Sequence, residues 1–454
     1  MKQEDSHKEV ANNRSGFREV LANKNFFRLW VGQIVASIGD RFYQFAILHV
    51  VIILGTEAVD TGVGKESARI LFFGMLPTVL FFPWLGQIVD RFSRRDVMIF
   101  TDLMRAACVM MMLLVWQLYE DPKLMYFFIA LAGLMNGLFI PARQASVPLL
   151  VEGRQLIRAN ALVTVVGIVA SLLGALAGVY VAVFGAQSSF IITSLGFLFS
   201  GWMLSRIKDP LRLKEKVSLR AQWGHMQEIL RSVLGDRIVR FLFFFSGGTQ
   251  FITGLFFIFV LEYTVDQMDL SWLNHFVEWF KNLAVSFNFK EPTFNVDLLA
   301  LVFLLCCTGA GLICGVAISG KFYRFAHWEG LPIVMFGLLG GGFIMFSQIE
   351  TFPLAMLASV VIGCTAALLN IPIDSRLQAH VHDHTHGRVF AAKTAWMHIC
   401  FLLAMLLNLD GRILEWQGPQ TMLLYLGSFC MVACLLIALN YRDTLGKFWE
   451  ADDD

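Results

Sequence analysis

The chain of 454 residues is 57% hydrophobic and 16% charged, with a mean hydropathy of +0.63, which leaves too few polar side chains to cover a water-exposed surface. The solvent must be lipid. With 36 Lys and Arg against 35 Asp and Glu, no basic excess recruits nucleic acid, and the composition points to an all-α membrane protein and away from a soluble enzyme.

In chain order, residues 1–25 are polar and lack the charged-then-apolar order of a cleavable signal. They are expected to form a cytoplasmic tail, leaving the first helix to target the membrane. A spanning helix needs about 20 mostly apolar residues. Twelve such segments start near Phe26, Glu66, Asp96, Leu124, Ala159, Ser188, Val239, Asp297, Leu331, Phe352, Phe390 and Gln420. The expected organisation is a six-helix bundle over 26–205, a cytoplasmic inter-bundle loop over 206–236 and a second six-helix bundle over 237–441, then a cytoplasmic tail over 442–454. An outer amphipathic insertion over 264–296 interrupts the second bundle.

Cations test this topology. With both termini inside, 28 of the 36 Lys and Arg fall on inner segments, six on outer segments, and two, Arg41 and Arg105, within helices, a strong positive-inside bias. The chain also repeats itself. Gly86 recurs as Gly315 and Arg95 as Arg324 at one fixed offset, and Ile140-Pro141 recurs as Ile371-Pro372 at nearly the same one. Each Ile-Pro is expected to close a helix ahead of a loop carrying Gly-Arg (Gly153-Arg154; Gly387-Arg388). Two similar halves related by an axis along the membrane normal account for the offset.

Between the second and third segments lies Gly86-Gln-Ile-Val-Asp90-Arg91-Phe-Ser-Arg94-Arg95. The glycine permits close helix contact, the aspartate can face the positive end of a helix, and the arginines can bridge carboxylates or carbonyls. This G-x-x-x-D-R-x-x-R-R spacing resembles the signature loop of the major facilitator superfamily. The resemblance implies twelve helices in two six-helix bundles and a conformational gate, with Asp90 near the start of helix 11 around Arg388. Ordinary positive-inside charge is the alternative reading, but it requires neither the glycine nor the aspartate. The second copy, Gly315-Val-Ala-Ile-Ser319-Gly320-Lys321-Phe322-Tyr-Arg324, replaces the aspartate with serine. It also approaches a phosphate-binding loop, but Phe322 stands where magnesium needs a hydroxyl, and a membrane helix precedes it, so ATP binding is rejected.

Asn25 to Trp30 running into Ser37-Ile38-Gly39-Asp40, Pro141 to Gln144 with Arg158 to Ala161, and Gln378 with Gly387-Arg388-Val389 are similar to the branch of enterobactin exporters, macrolide-efflux proteins and lysophospholipid transporters. The outer segment and a histidine-rich inner loop depart from that pattern and leave the cargo open.

Asp40 and Arg41 sit mid-helix, where an ionisable group must face a cavity or a partner. They are the first choice for proton coupling, the alternative being an ion pair that holds the bundle together. Gln44, Asn136, Gln250, Asn370 and His398 also lie at membrane depth, as cavity lining or as interhelical glue. Asp102 and Arg105 share a helical face and are expected to support the gate. Gly167, Gly174 and Gly178 allow close packing in the fifth segment.

His380, His382, His384 and His386 alternate along an inner loop, as metal ligands if it is extended or as solvated groups. Trp272, Phe276, Trp279, Phe280 and Leu283 recur at helical spacing, which predicts an amphipathic interfacial helix. The eight cysteines lie in apolar runs and act as small hydrophobes; no cofactor is expected.

The composite expectation is a monomeric, multi-pass secondary transporter of a bacterial inner membrane, working by alternating access with its cargo near the midplane. It would export a hydrophobic or amphipathic molecule, drug- or siderophore-like, against protons. The 42 phenylalanines suit such a cargo. A lysophospholipid flippase is the first rival, and a non-transporting sensor or assembly factor is the rival of another class.

Overall fold

The computed structural model describes residues 18–57, 63–118, 122–151, 156–208, 235, 237–286, 296–321, 331–380, 386–409 and 412–448. Its named elements are helices: α1 (Lys24–Glu57), α2 (Val63–Arg91), α3 (Arg94–Leu118), α4 (Pro122–Leu150), α5 (Leu156–Phe184), α6 (Ala186–Ser205), α7 (Arg237–Asp266), α8 (Ser271–Ser286), α9 (Val296–Lys321), α10 (Leu331–Ser347), α11 (Phe352–His380), α12 (His386–Leu407) and α13 (Arg412–Phe448). Among the described residues seven stretches are long and apolar enough to cross a membrane, lying on α3, α4, α6, α7, α9, α11 and α13. Leu331–Ser347 and Ala392–Leu407 are shorter apolar helices.

Helix α3 shows which solvent surrounds the chain. Phe100, Leu103, Met111, Leu114 and Leu118 are exposed along one stripe, while Thr101, Asp102 and Arg105 are buried opposite. Water would demand the reverse distribution; hydrocarbon demands this one. The protein is a multi-pass membrane protein.

Local chemistry sets several boundaries. Asn23 Oδ1 accepts from the Asn25 and Phe26 amides at 3.0 and 3.2 Å and so starts α1, while Ser93 Oγ accepts from the Asp96 amide at 3.3 Å and starts α3. Gly185, with φ of 78°, is the single residue between α5 and α6, a conformation that side chains resist. Gly418 (φ 76°) and Pro419 kink α13 where the sequence placed the start of the last segment.

The expectation that Ile-Pro closes two helices needs correction. Helix α4 runs through Pro141 and Pro148, and α11 runs through Pro372. Proline removes one ladder bond, but a segment excluded from water gains nothing by unwinding further, so membrane helices tolerate it. Arg143 and Asp374 therefore stand inside helices, not in loops.

Two compact units emerge: residues 1–54 with 70–223, and 55–69 with 224–454. In the first, α3 packs on α4 and α6, and α1 meets α5 where Trp30 Nε1 donates to the Leu162 carbonyl at 3.0 Å. There α2 crosses α4 so closely that a Cβ on Gly133 would lie 1.8 Å from the Gly74 carbonyl oxygen, and Thr78 Oγ1 donates to the Gly133 carbonyl at 2.9 Å. In the second unit α7 pairs with α12, α9 with α11 and α10 with α13. A Cβ on Gly363 would lie 2.1 Å from the Thr308 carbonyl oxygen, and one on Gly311 2.0 Å from that of Val360. Thr78 and Gly133 thus recur as Thr308 and Gly363, at a common offset close to that between Gly86 and Gly315. Small residues at a crossing let backbones touch, which is how helices associate where no hydrophobic effect drives them together.

The second unit also carries α8. Leu273 and Val277 are buried, whereas Trp272, Phe276, Trp279 and Phe280 are exposed, and Trp272 and Phe276 stack at 6.0 Å. Asp269 accepts from the Ser271 amide at 2.9 Å, which starts the helix and holds its carboxyl below the usual carboxylate range.

Candidate functional site

The polar groups of the first unit converge on one side chain. Arg105, on α3, is 3% exposed. Its Nη2 pairs with Asp102, one turn earlier on the same helix and itself fully buried. Its Nη1 reaches Asp40 of α1 at 3.6 Å and Asn136 of α4 at 3.4 Å. The guanidinium plane is held between two rings, with Phe139 of α4 at 4.5 Å and Phe197 of α6 at 4.3 Å. Each contact has a cause in the sequence. The i, i+3 spacing puts Asp102 beside Arg105, and aromatic faces attract a guanidinium shielded from water. Two carboxylates and two rings on four helices fix one rotamer of one residue.

Asp40 is less enclosed, its side chain 34% exposed. Its charged neighbours are Arg105, Arg41 and Arg143, and Tyr43 lies beside it. Arg41 projects towards α5, where its Cδ lies 3.2 Å from where a Cβ of Gly174 would stand, and its Nη1 donates to Gln44 at 2.8 Å. Gln44 and Asn136 are exposed and Arg41 and Arg143 half-buried. Five polar residues at membrane depth, two exposed and three half-buried, are incompatible with lipid and must border water.

Asp102 and Arg105 thus join the group of Asp40 and Arg41, from which sequence reading kept them apart: spacing reveals partners on one helix, not partners on another. Arg143 escaped notice because Pro141 was read as a helix end. Of the glycines of the fifth segment, Gly174 makes room for Arg41, and a Cβ on Gly167 would meet nothing within 4 Å.

At the α2–α3 turn, Arg91 is exposed. The buried Arg94 donates to the Ala145 carbonyl of α4, and Arg95 to the Ile207 carbonyl at 2.8 Å beyond α6. Two arginines of the motif expected to form a gate therefore brace the first unit itself. The surroundings of Gly86 and the side chains of Asp90, Arg388, His380, His382, His384 and His386 lie outside the described residues. So does Gly153-Arg154, whereas Gly387-Arg388 falls in the first turn of α12 and not in a loop. Among the described residues no group of His, Cys, Asp or Glu is arranged to hold a metal ion.

Gln250, Asn370 and His398 belong to the second unit, all half-buried, and Asn370 donates to the Ala366 carbonyl of its own helix at 2.9 Å. Sequence reading missed an ion pair of that unit, Lys393 of α12 with Asp374 of α11, and its aromatic lining of α7. Phe256 stacks on Phe343 at 4.0 Å, Phe245 meets Phe336 at 5.3 Å, and Trp396 packs against Phe243 and Phe244 at 6.3 and 5.4 Å.

The profile of the Major Facilitator Superfamily matches residues 29–405. Among similar proteins, the uncharacterized MFS-type transporter YfiS of Bacillus subtilis (strain 168) is 23% identical over 430 residues, 93% of each chain. The lysophospholipid transporter LplT of Salmonella arizonae is 24% identical over 342 residues, 72% of this chain and 79% of its own. Among solved structures, the nucleoside transporter NupG superposes with a TM-score of 0.61 at 13% identity, over 92% of this chain and 99% of its own, which shows a shared fold. With the helical fold, the lipid-facing exterior and the charged interior, these matches lead to one conclusion: the chain belongs to the Major Facilitator Superfamily of transporters and is not an enzyme.

Proposed function

We propose that the protein is a proton-coupled secondary transporter of an amphipathic small molecule, working by alternating access through twelve spans in two six-helix bundles. Both termini lie on the cytoplasmic side of a bacterial inner membrane. The observation that carries the reading is the Asp40–Arg105–Asp102 chain in the first unit, in which one carboxylate is accessible and the other is sealed. Asp40 is the group that exchanges protons with water, while Asp102 keeps Arg105 in place. A proton on Asp40 removes one of the two charges that hold Arg105, which gives the bundle two arrangements of similar energy, as a coupled carrier needs.

Direction follows from the sign of the linkage between proton and cargo. Competition at Asp40 would exchange cargo outwards for protons, the export expected from sequence; cooperation would move both the same way. A flippase moving lipid by facilitated diffusion needs no titrating group. Asp40→Asn separates these readings in proteoliposomes. In the wild type, cargo flux follows an imposed pH gradient, and in the variant it ignores the gradient; wild-type flux indifferent to pH at every gradient rejects proton coupling.

A further inference from the structure

The five charges of the Asp40 cluster do not balance. Arg105 is matched by Asp40 and Asp102. Arg41 and Arg143 are charged neighbours of Asp40, but neither forms an ion pair with a described residue, and the bond from Arg41 goes to the neutral amide of Gln44. Three guanidinium groups therefore face two carboxylates. The Nε groups of Arg41, Arg105 and Arg143 are all buried without a hydrogen-bond partner among the described residues. Buried donors are normally satisfied, and an excess cation at membrane depth costs more than a paired one. Three orphan donors of the same kind in one net-positive cluster are what an acceptor-only anion would complete, and a guanidinium suits a planar or tetrahedral oxyanion in particular.

We infer that this cluster takes the anionic group of the cargo, a sulfate-, phosphate- or carboxylate-like head on an apolar body, with Arg41 and Arg143 as its ligands. The inference rests on the transporter reading and specifies its cargo class. It also fixes the sign of the coupling. The groups facing Asp40 are Arg41 and Tyr43 on α1, Arg105 and Asp102 on α3, and Arg143 on α4. Within this set a proton on Asp40 raises the net charge by one, so it strengthens anion binding, and by reciprocity a bound anion favours protonation. Proton and cargo then move in the same direction.

The test uses the full chain in nanodiscs and four probes: octyl sulfate, octyltrimethylammonium, octyl glucoside and inorganic sulfate. The charges of these probes stay constant across the pH range used. Octyl sulfate is expected to bind about tenfold more tightly than the cationic and neutral amphiphiles. Arg143→Gln and Arg41→Gln each remove that preference, and Arg143→Lys retains part of it, which guards against a simple folding defect. Affinity for octyl sulfate rises on acidification in the wild type and is flat in Asp40→Asn. Inorganic sulfate binding as tightly as octyl sulfate supports the anion site and assigns it to a free anion. Equal affinity for the three octyl compounds, or preference for octyltrimethylammonium, overturns the inference. Because binding is read without transport, the two readings fail separately. Transport of cationic or neutral amphiphiles with Asp40-dependent coupling would leave the function standing and sink the anion site. Octyl sulfate binding without any flux would do the opposite.

Discussion

The two units share a way of packing and differ in what they pack. In the first, α2 crosses α4 at Gly74 and Gly133; in the second, α9 crosses α11 at Thr308, Gly311 and Gly363. Around these crossings the first unit carries a charged cluster with Arg105 and Asp102 buried at its centre, and the second has filled its interior along α7 with aromatic stacks. A repeat can keep its backbone contacts while its side chains diverge, because a close crossing depends on the absence of side chains and tolerates any chemistry one turn away. Among the described residues the sealed Arg105–Asp102 pair accordingly belongs to the first unit, and the second is packed with aromatic stacks along α7.

The largest expected effect tests the shared part. Gly133→Val and Gly311→Val place carbons within about 2 Å of backbone carbonyl oxygens, a clash no rotamer relieves, so each should abolish the folded protein recovered from membranes. Gly167→Ala, facing open space, should leave recovery unchanged. One clash variant folding normally would mean that the two crossings are not equivalent.

Next come the charges. Arg105→Met leaves the sealed Asp102 carboxylate without its partner and should destabilise the protein by about 3 kcal/mol, read as a large fall in thermal unfolding midpoint together with loss of transport. The matching change in the second unit, Lys393→Met, strands an Asp374 side chain that is 48% exposed and can be solvated, and it should cost about 1 kcal/mol or less. Similar penalties for the two would dissolve the contrast between the units.

The smallest effect concerns α8. The folded Asp269 carboxylate sits below its unfolded value because the Ser271 amide donates to it. Its contribution is therefore present above the unfolded value and is lost as pH falls through the folded one. Hydrogen exchange at the first turn of α8 should accelerate on acidification in the wild type and stay flat in Asp269→Asn.

Much of the site was legible residue by residue and little of it as a site. Asp40, Arg41, Asp102 and Arg105 each stand out in sequence because an ion in an apolar run has few explanations. Their assembly was hidden because it joins α1, α3 and α4 through contacts between residues 31 or more positions apart, and helical periodicity reports only neighbours within a turn or two. Arg143 was hidden for a different reason. Proline at 141 ends a helix in water, and only exclusion from water lets α4 continue past it to Leu150.

The sequence by itself determined the solvent, the helical class, the superfamily signature and the residues at which charge enters the membrane, since all of these follow from composition and local spacing. Tertiary structure alone decided which charges neutralise one another. Arg105 holds two carboxylates between two rings, while Arg41 and Arg143 are left unmatched among the described residues, and that outcome depends on how helices distant in sequence are brought side by side.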